Sequence, residues 1–492
     1  MRILNMDTLS GHGNIRGRRD VLQILEAGLQ AADPYQNTRK LVRIEGNKLI
    51  VGNTDFEPIG CPRTGDEVFD LDQVDRIYVV GAAKGVQYIA KALEDVLGDR
   101  LTAGHVIAKH GDEHILERIG VTYGAHPVPD EGCVEGCRKI LELIQSQKLT
   151  ENDLVFTVAG NGISSLLTMP VPGVSLEDVR RTTYLMQIDR GAPTEDLNPV
   201  RNHLDMMKGG RISRYLQPAK AIHILGVDPQ GSPTNESGRY EVLVNRNIWL
   251  HTLPEGSTFE YAVKMLKRWD AWEAVPASVR EHLLRADPAL ETVKADEFER
   301  GWSRIFGVMP KRLGMVPTAA AKAKELGYEP HLMAIFLRAE AREAGYTLMD
   351  IAKTVVTHGS PFKPPCALFT TGELLVTVGE ETGVGGRNQE FVLASAIKIA
   401  GNPHIVVGAV DSDGTDGPGT QFSDHCAHIP CLGGGICDCD TISELAAAGL
   451  DVYDVLKRHD TTPALWATNN GILVSHNISV GDLGVILIMD QA

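Results

Sequence analysis

The chain has 492 residues, enough at the usual ~150 per domain for two or three folding units with a large buried core. Apolar residues make up 43% and charged residues 23%, an ordinary balance that excludes fibrous, collagen-like and disordered chains. Lys and Arg number 48 against 64 Asp and Glu, and the resulting net charge of −16 disfavours nucleic-acid phosphates and anionic membranes as partners. An anionic ligand would need a local gathering of Lys, Arg and backbone N–H groups.

The first twenty residues lack the apolar core of a signal peptide, and no later run approaches the ~18 apolar residues of a membrane span. Eight cysteines are few enough to read as reduced thiols. A cytoplasmic protein is the expectation.

In chain order, RDVLQILEAGLQAADP predicts a helix ended by Pro34, and LVRIEGNKLIVGN a hairpin turning at Glu45-Gly46-Asn47. From Asp75 short β-branched runs alternate with amphipathic helices, the mark of βαβ units and a parallel sheet. DRIYVVGAA is the first such strand. Val86, Ile89, Ala90, Leu93 and Leu97 then recur at helical spacing. LTAGHVIAKH and DLVFTVAG are further strands, with a helix predicted from about residue 130 to 147. Ser175 to Asp178 and Ser257 to Glu260 match the capping-box pattern and predict helix starts. The charged stretch from Asp270 to Pro317, with Trp302 and the neighbouring Trp269 and Trp272, reads as a lid or inter-domain element. A second α/β block is expected from Gly345, with strands CALFTT, LLVTVG, HIVVGAV and GVILIM. The expectation is two α/β domains, 1–344 and 345–492, with the active site in the cleft between them.

Four turns gather the residues able to carry chemistry. Gly81-Ala82-Ala83-Lys84-Gly85 joins a strand to a helix and offers N–H groups and a Lys to an anion, a surface Lys being the alternative. It is neither G-x-G-x-x-G nor a P-loop. Gly160-Asn161-Gly162-Ile163-Ser164 is a second strand–helix turn, with glycines that allow close approach. In the third, Arg201, Lys208 and Arg211 share a face if helical, either as an anion site or as a solvated basic face. The fourth is Gly385-Gly386-Arg387-Asn388, opening a helix with the side chain best suited to bidentate phosphate or carboxylate recognition. Soon after, Asp411, Asp413 and Asp416 follow a strand, where one or two could bind Mg²⁺ or simply form Asx turns. His425, Cys426, His428, Cys431, Cys437 and Cys439 match no standard zinc spacing, and loop thiols are the simpler reading. Cys133 and Cys137, one helical turn apart, read as packing residues.

Taken together and in order, these motifs resemble the glycerate 2-kinase family, whose C-terminal domain is called MOFRL. The matching stretches are GAAKG, HPVPDEG (126–132), NPVRNHLDMMKGGR (198–211), AEARE (339–343), TGE (371–373), GGRNQE (385–390) and SDGTDGP (412–418). The resemblance implies a Rossmann-like N-terminal domain and ATP- and Mg²⁺-dependent phosphorylation of glycerate or a related small hydroxy acid. It puts Lys84 and Arg387 in the catalytic roles. On that reading Arg201, Lys208, Asn161, Ser164 and Glu373 contact substrate, Gly385, Gly386, Asn388 and Asp482 contact the nucleotide, and Asp413 and Asp416 hold the metal. A homodimer is a compatible assembly. The chain departs from the family pattern at Gly160-Asn161-Gly162-Ile163, near Gly226-Val227-Asp228, at His251-Thr252-Leu253-Pro254, at Glu380 and Glu381, and at residues 477–483. The alternatives are a non-kinase paralogue acting on an acidic sugar derivative, or an inactive ligand-binding homologue. Family members are sometimes labelled hydroxypyruvate reductases, against which the missing dinucleotide fingerprint counts.

Overall fold

The structure is a computed structural model that describes the chain except residues 147, 227–238, 380, 418–419, 421–422, 424, 476–480 and 491–492. The departures at Val227-Asp228, Glu380 and residues 477–480 therefore lie outside the described residues. Two units emerge, 34–310 and a second made from 1–33 together with 311–492.

The 34–310 unit starts with a small antiparallel sheet, β1 (Val42–Glu45), β2 (Lys48–Val51) and β3 (Glu67–Asp70), whose first turn falls at the expected Gly46. Six strands then form a wholly parallel sheet: β4 (Ile77–Ala82), β5 (Ala103–Lys109), β6 (Gly120–Gly124), β7 (Leu154–Gly160), β8 (Lys220–Gly226) and β9 (Ser303–Gly307). β4 and β7 are buried along their whole length, as expected of strands covered on both faces. The order is β6-β5-β4-β7-β8-β9. The chain winds outward from β4 to β6, then returns beside β4 to start β7 and winds the other way. A doubly wound sheet reverses at that point, and the strand ends open a crevice there.

Helices Leu176–Tyr184, Thr194–His203, Phe259–Arg268 and Ala277–Arg285 bury a second apolar cluster that includes Val200, Leu204, Phe259 and Leu266. The Ser175 capping box is present, with its side chain accepting from Asp178 N. The second start lies one residue along, capped by Thr258. No lid forms from residues 270–317. They supply helices and the edge strand β9, and Trp302 packs edge-on against Phe69 at 5.6 Å. Apolar burial, which periodicity in a charged stretch conceals, holds residues 270–310 in this unit, while 311–317 belong to the other.

In the other unit the order is β10-β11-β15-β12-β13-β14, from β10 (Glu329–Leu337), β11 (Cys366–Gly372), β12 (Ile405–Asp411), β13 (Gly434–Cys437), β14 (Gly471–Ile472) and β15 (Asp482–Ile488). Only β10 and β11 run parallel. Leu374 to Gly379 is not a strand; it touches a neighbour through a single bridge from Leu375 to Glu340. A boundary at 344/345 does not match these units, because β10 pairs with β11 and lies before it. The first long helix, Ile15–Ala31, also packs into this unit, where the fully buried Arg18 donates to Asp438 at 2.5 Å. A buried cation needs its carboxylate, so the N-terminal segment is fixed to the C-terminal sheet. Among the described residues no helix is long and apolar enough to cross a membrane.

Candidate functional site

At the reversal point the turns after β4 and β7 meet. The backbone N–H of Lys84 donates to Asn161 O at 2.8 Å. Gly162 has φ +83, and a Cβ there would come 2.9 Å from Lys84 Cγ and 3.3 Å from His126 Cδ2. Glycine thus serves both the left-handed backbone and the space for the Lys84 stem and the His126 ring. The HPVPDEG turn that carries His126 is closed by Asp130, which accepts from the N–H groups of Ala125 and Cys133.

Ser164 begins the next line of side chains. Its hydroxyl lies 2.9 Å from His251 Nε2 and receives Asn198 Nδ2 at 3.3 Å. Asn198 Oδ1 accepts from Arg201 at 3.3 Å, and Arg201 also donates to Gln187 Oε1 at 3.0 Å. All the partners of this guanidinium are neutral. Among the described residues no carboxylate faces it, and burial lowers its pKa to about 10. A half-buried cation without a counter-ion is unfavourable, and an anionic ligand would relieve it.

The other basic residues of that motif do different work. Lys208 is 1% exposed and donates to Asp205 and to Thr168, each at 2.7 Å. Asp205 also accepts from the N–H groups of Met169, Met207 and Lys208. Arg211, buried, donates to the carbonyls of Asn202, Lys208 and Leu290. Lys208 is therefore not placed to meet substrate. Helical spacing suggests one shared face, but the chain leaves the helix at Leu204 and turns the two later cations inward.

In the second unit Arg387 lies where β11 and β12 end and β15 begins. Its Nε and one terminal nitrogen grip Asp482 at 2.8 and 2.9 Å, and the same terminal nitrogen reaches Asp411 at 2.7 Å. Burial pulls its pKa down, but Asp482 and Asp411 outweigh it and hold the charge well above the ordinary range. Among the described residues NH1 faces only the exposed Glu373, at 3.7 Å. Glu373 and Asp482, expected on substrate and nucleotide, instead surround this cation with negative charge.

The glycine-rich loop before Arg387 is packed against protein. A Cβ on Gly385 would meet Thr461 Oγ1 at 2.3 Å, and one on Gly386 would meet Asp416 Cγ at 2.3 Å. Asp416 is buried and caps the helix Arg387–Ile399: it accepts from Asn388 N and Nδ2, both at 3.1 Å, and from Gln389 N at 2.9 Å. Burial raises its pKa to about 6. Asp416 with Asp413 thus does not fit a two-carboxylate Mg²⁺ site. The Asp416 carboxylate is filled by N–H groups, and Asp413 Oδ1 accepts Thr415 N at 2.8 Å. Nor are Gly385, Gly386 and Asn388 arranged as a phosphate cradle, since their close contacts are with residues 416 and 459–461.

No disulfide links the eight cysteines. Cys426 lies with His425 and Asp460, whereas Cys439 lies with Asp438 and Asp440, so the Cys and His residues do not form one set. Cys133 and Cys137 are buried in a helix, in keeping with packing.

The profile of the family described as "Domain of unknown function (DUF4147)" matches residues 20–235, and that of the MOFRL family matches 366–479. The chain is 32% identical over 447 residues to a glycerate 2-kinase of Pyrococcus horikoshii, covering 90% of this chain and 91% of that one. The chain belongs to the glycerate 2-kinase family. A D-glycerate 2-kinase of Thermotoga maritima is 34% identical over 412 residues, covering 83% and 90% of the two chains. The crystal structure of a glycerate kinase from Thermotoga maritima superposes with a TM-score of 0.73 at 28% identity, covering 96% of this chain and 99% of that one. Within this family fold, Lys84, Asn161, Ser164 and Arg201 cluster in one unit and Arg387, Glu373 and Asp482 in the other. His126, Asn198 and His251 carry no signal of their own in the sequence: the first two lie inside HPVPDEG and NPVRNHLDMMKGGR, and His251 lies in a departure from the family pattern.

Proposed function

We propose that the protein is an ATP-dependent kinase that phosphorylates the hydroxyl of glycerate or a closely related small hydroxy acid. The observation that carries the reading is that Arg201, with no carboxylate partner among the described residues, is linked through Asn198 to Ser164 on the turn that packs against Lys84, at the reversal point of a doubly wound sheet. Arg201 and Ser164 would hold the carboxylate of the acid, and Lys84 would neutralise charge on the transferring phosphoryl group. Phosphoryl transfer is mostly positioning and charge stabilisation, so cations of this kind suffice without a covalent intermediate. The resemblance assigns a catalytic charge also to Arg387 of the other unit, whose NH1 is the nitrogen its carboxylates leave without a hydrogen bond among the described residues. ATP would bring Mg²⁺ on its own phosphates, since N–H groups of Asn388 and Gln389 already occupy the Asp416 carboxylate.

The test is ADP release with ATP and Mg²⁺ across a panel of small hydroxy acids that includes D-glycerate. Release that requires an acid and falls roughly 10²–10³-fold in Lys84→Ala is expected. Release independent of any acid, or NADH oxidation with hydroxypyruvate in its place, would overturn the proposal.

A further inference from the structure

The hydrogen bonds around Ser164 have a direction. A guanidinium can only donate, so Arg201 fixes the Asn198 amide with its oxygen toward Arg201 and its NH₂ toward Ser164. Ser164 Oγ thereby accepts one bond. The remaining neighbour is His251, whose Nε2 lies 2.9 Å away. His251 and Asn198 are buried, while Ser164 and Arg201 are half-buried.

His251 Nδ1 is buried and has no hydrogen-bond partner among the described residues. Burial, reinforced by the positive charges of Lys208 and Arg201, pushes the His251 pKa well below its ordinary value, so the imidazole is neutral. A neutral imidazole carries one N–H and one bare nitrogen. A proton on Nδ1 would strand a buried donor. A proton on Nε2 lets His251 donate to Ser164 and strands only an acceptor, the less costly of the two.

The geometry points to His251 as a positioning residue: as the Nε2–H tautomer it donates to Ser164 Oγ, so the serine's own proton is turned outward to an anionic oxygen held by Arg201. The chain Arg201 to Asn198 to Ser164, met by His251 from the other side, converts a hydroxyl able to give or accept into one that only gives. This inference rests on the reading that a carboxylate occupies that seat. It deepens that reading by favouring an acceptor-only group over an amide or an alcohol.

The test uses full-length protein labelled with ¹⁵N-histidine, with the His251 signals assigned by their loss in His251→Gln. Long-range ¹H–¹⁵N correlation spectra should show a bare Nδ1 and a protonated Nε2, unchanged from about pH 6 to 8. The opposite tautomer, or an imidazolium in that range, overturns the inference whether or not the protein proves to be a kinase. In kinetics, His251→Gln keeps a donor near the Nε2 position and should leave KM for the acid within about threefold of wild type. His251→Phe removes the donor and should raise KM about tenfold with a smaller change in kcat. An unchanged KM in a folded His251→Phe would overturn it. Absence of turnover with every acid in the wild type would refute the kinase reading and leave the tautomer to be decided by the spectra.

Discussion

Arg387 holds Asp482 through two nitrogens, at 2.8 and 2.9 Å, and so joins the start of β15 to the helix that begins at Arg387. Asp482 pairs in register with Asp411 on β12, so the guanidinium separates two carboxylates on adjacent strands. Asp482→Asn should therefore lower stability by about 1.5–3 kcal/mol, measured by urea unfolding. Arg387→Ala should cost more, because it leaves the two carboxylates facing each other. Arg387→Lys, which keeps the charge and loses the bidentate grip, is the variant in which a fall in kcat reports on chemistry.

Asp416 joins acid–base behaviour to helix capping. Its pKa is 3.8 when unperturbed and about 6 in the folded protein. Between these values the folded chain holds a proton that the unfolded chain has released. Stability from this group therefore rises as pH falls through about 6 toward 4, and is lowest above 6. Denaturation midpoints at pH 7, 6 and 5 should show this rise in the wild type and not in Asp416→Asn. Asp416→Ala should lose about 1–2 kcal/mol at pH 7, since it uncaps Asn388 and Gln389. A flat difference between wild type and Asp416→Asn across this range would show that the carboxylate does not titrate there.

Lys208 and Arg201, seven residues apart, should respond in opposite ways. Lys208→Ala leaves Asp205 buried and unpaired and should cost about 3–5 kcal/mol in chemical denaturation. KM of the fraction that still folds should stay within about twofold of wild type. A large rise in KM with unchanged stability would return Lys208 to the substrate site.

Arg201→Gln removes a cation that has no carboxylate partner among the described residues. The melting temperature should hold steady or rise, while KM for the acid increases roughly 10- to 100-fold. Calorimetric titration with D-glycerate separates this from a fault in turnover. Wild-type affinity in Arg201→Gln would move the carboxylate elsewhere.

The sequence by itself determined the α/β class, the parallel sheet from β4 onward and the two turns carrying Lys84 and Ser164. These follow from local facts: continuous apolar runs, helical spacing after them, and glycines where the chain turns. The resemblance added the family, because several short motifs in fixed order carry more information than any one of them.

Tertiary structure decided what each polar residue does. Lys208 and Arg201 look alike in sequence, yet one meets a buried carboxylate and the other does not, because the chain leaves the helix between them. Asp416 and Asp413 look like a pair of ligands, yet the nearness of a helix N-terminus makes one of them a cap. His251 reaches Ser164 across 87 positions, a distance no periodicity can span. The boundary of the units was likewise hidden, since the pairing of Arg18 with Asp438 joins the two ends of the chain. Pattern reports which residues are apolar and where the chain turns, whereas the partner of a buried charge is chosen only when the chain has folded around it.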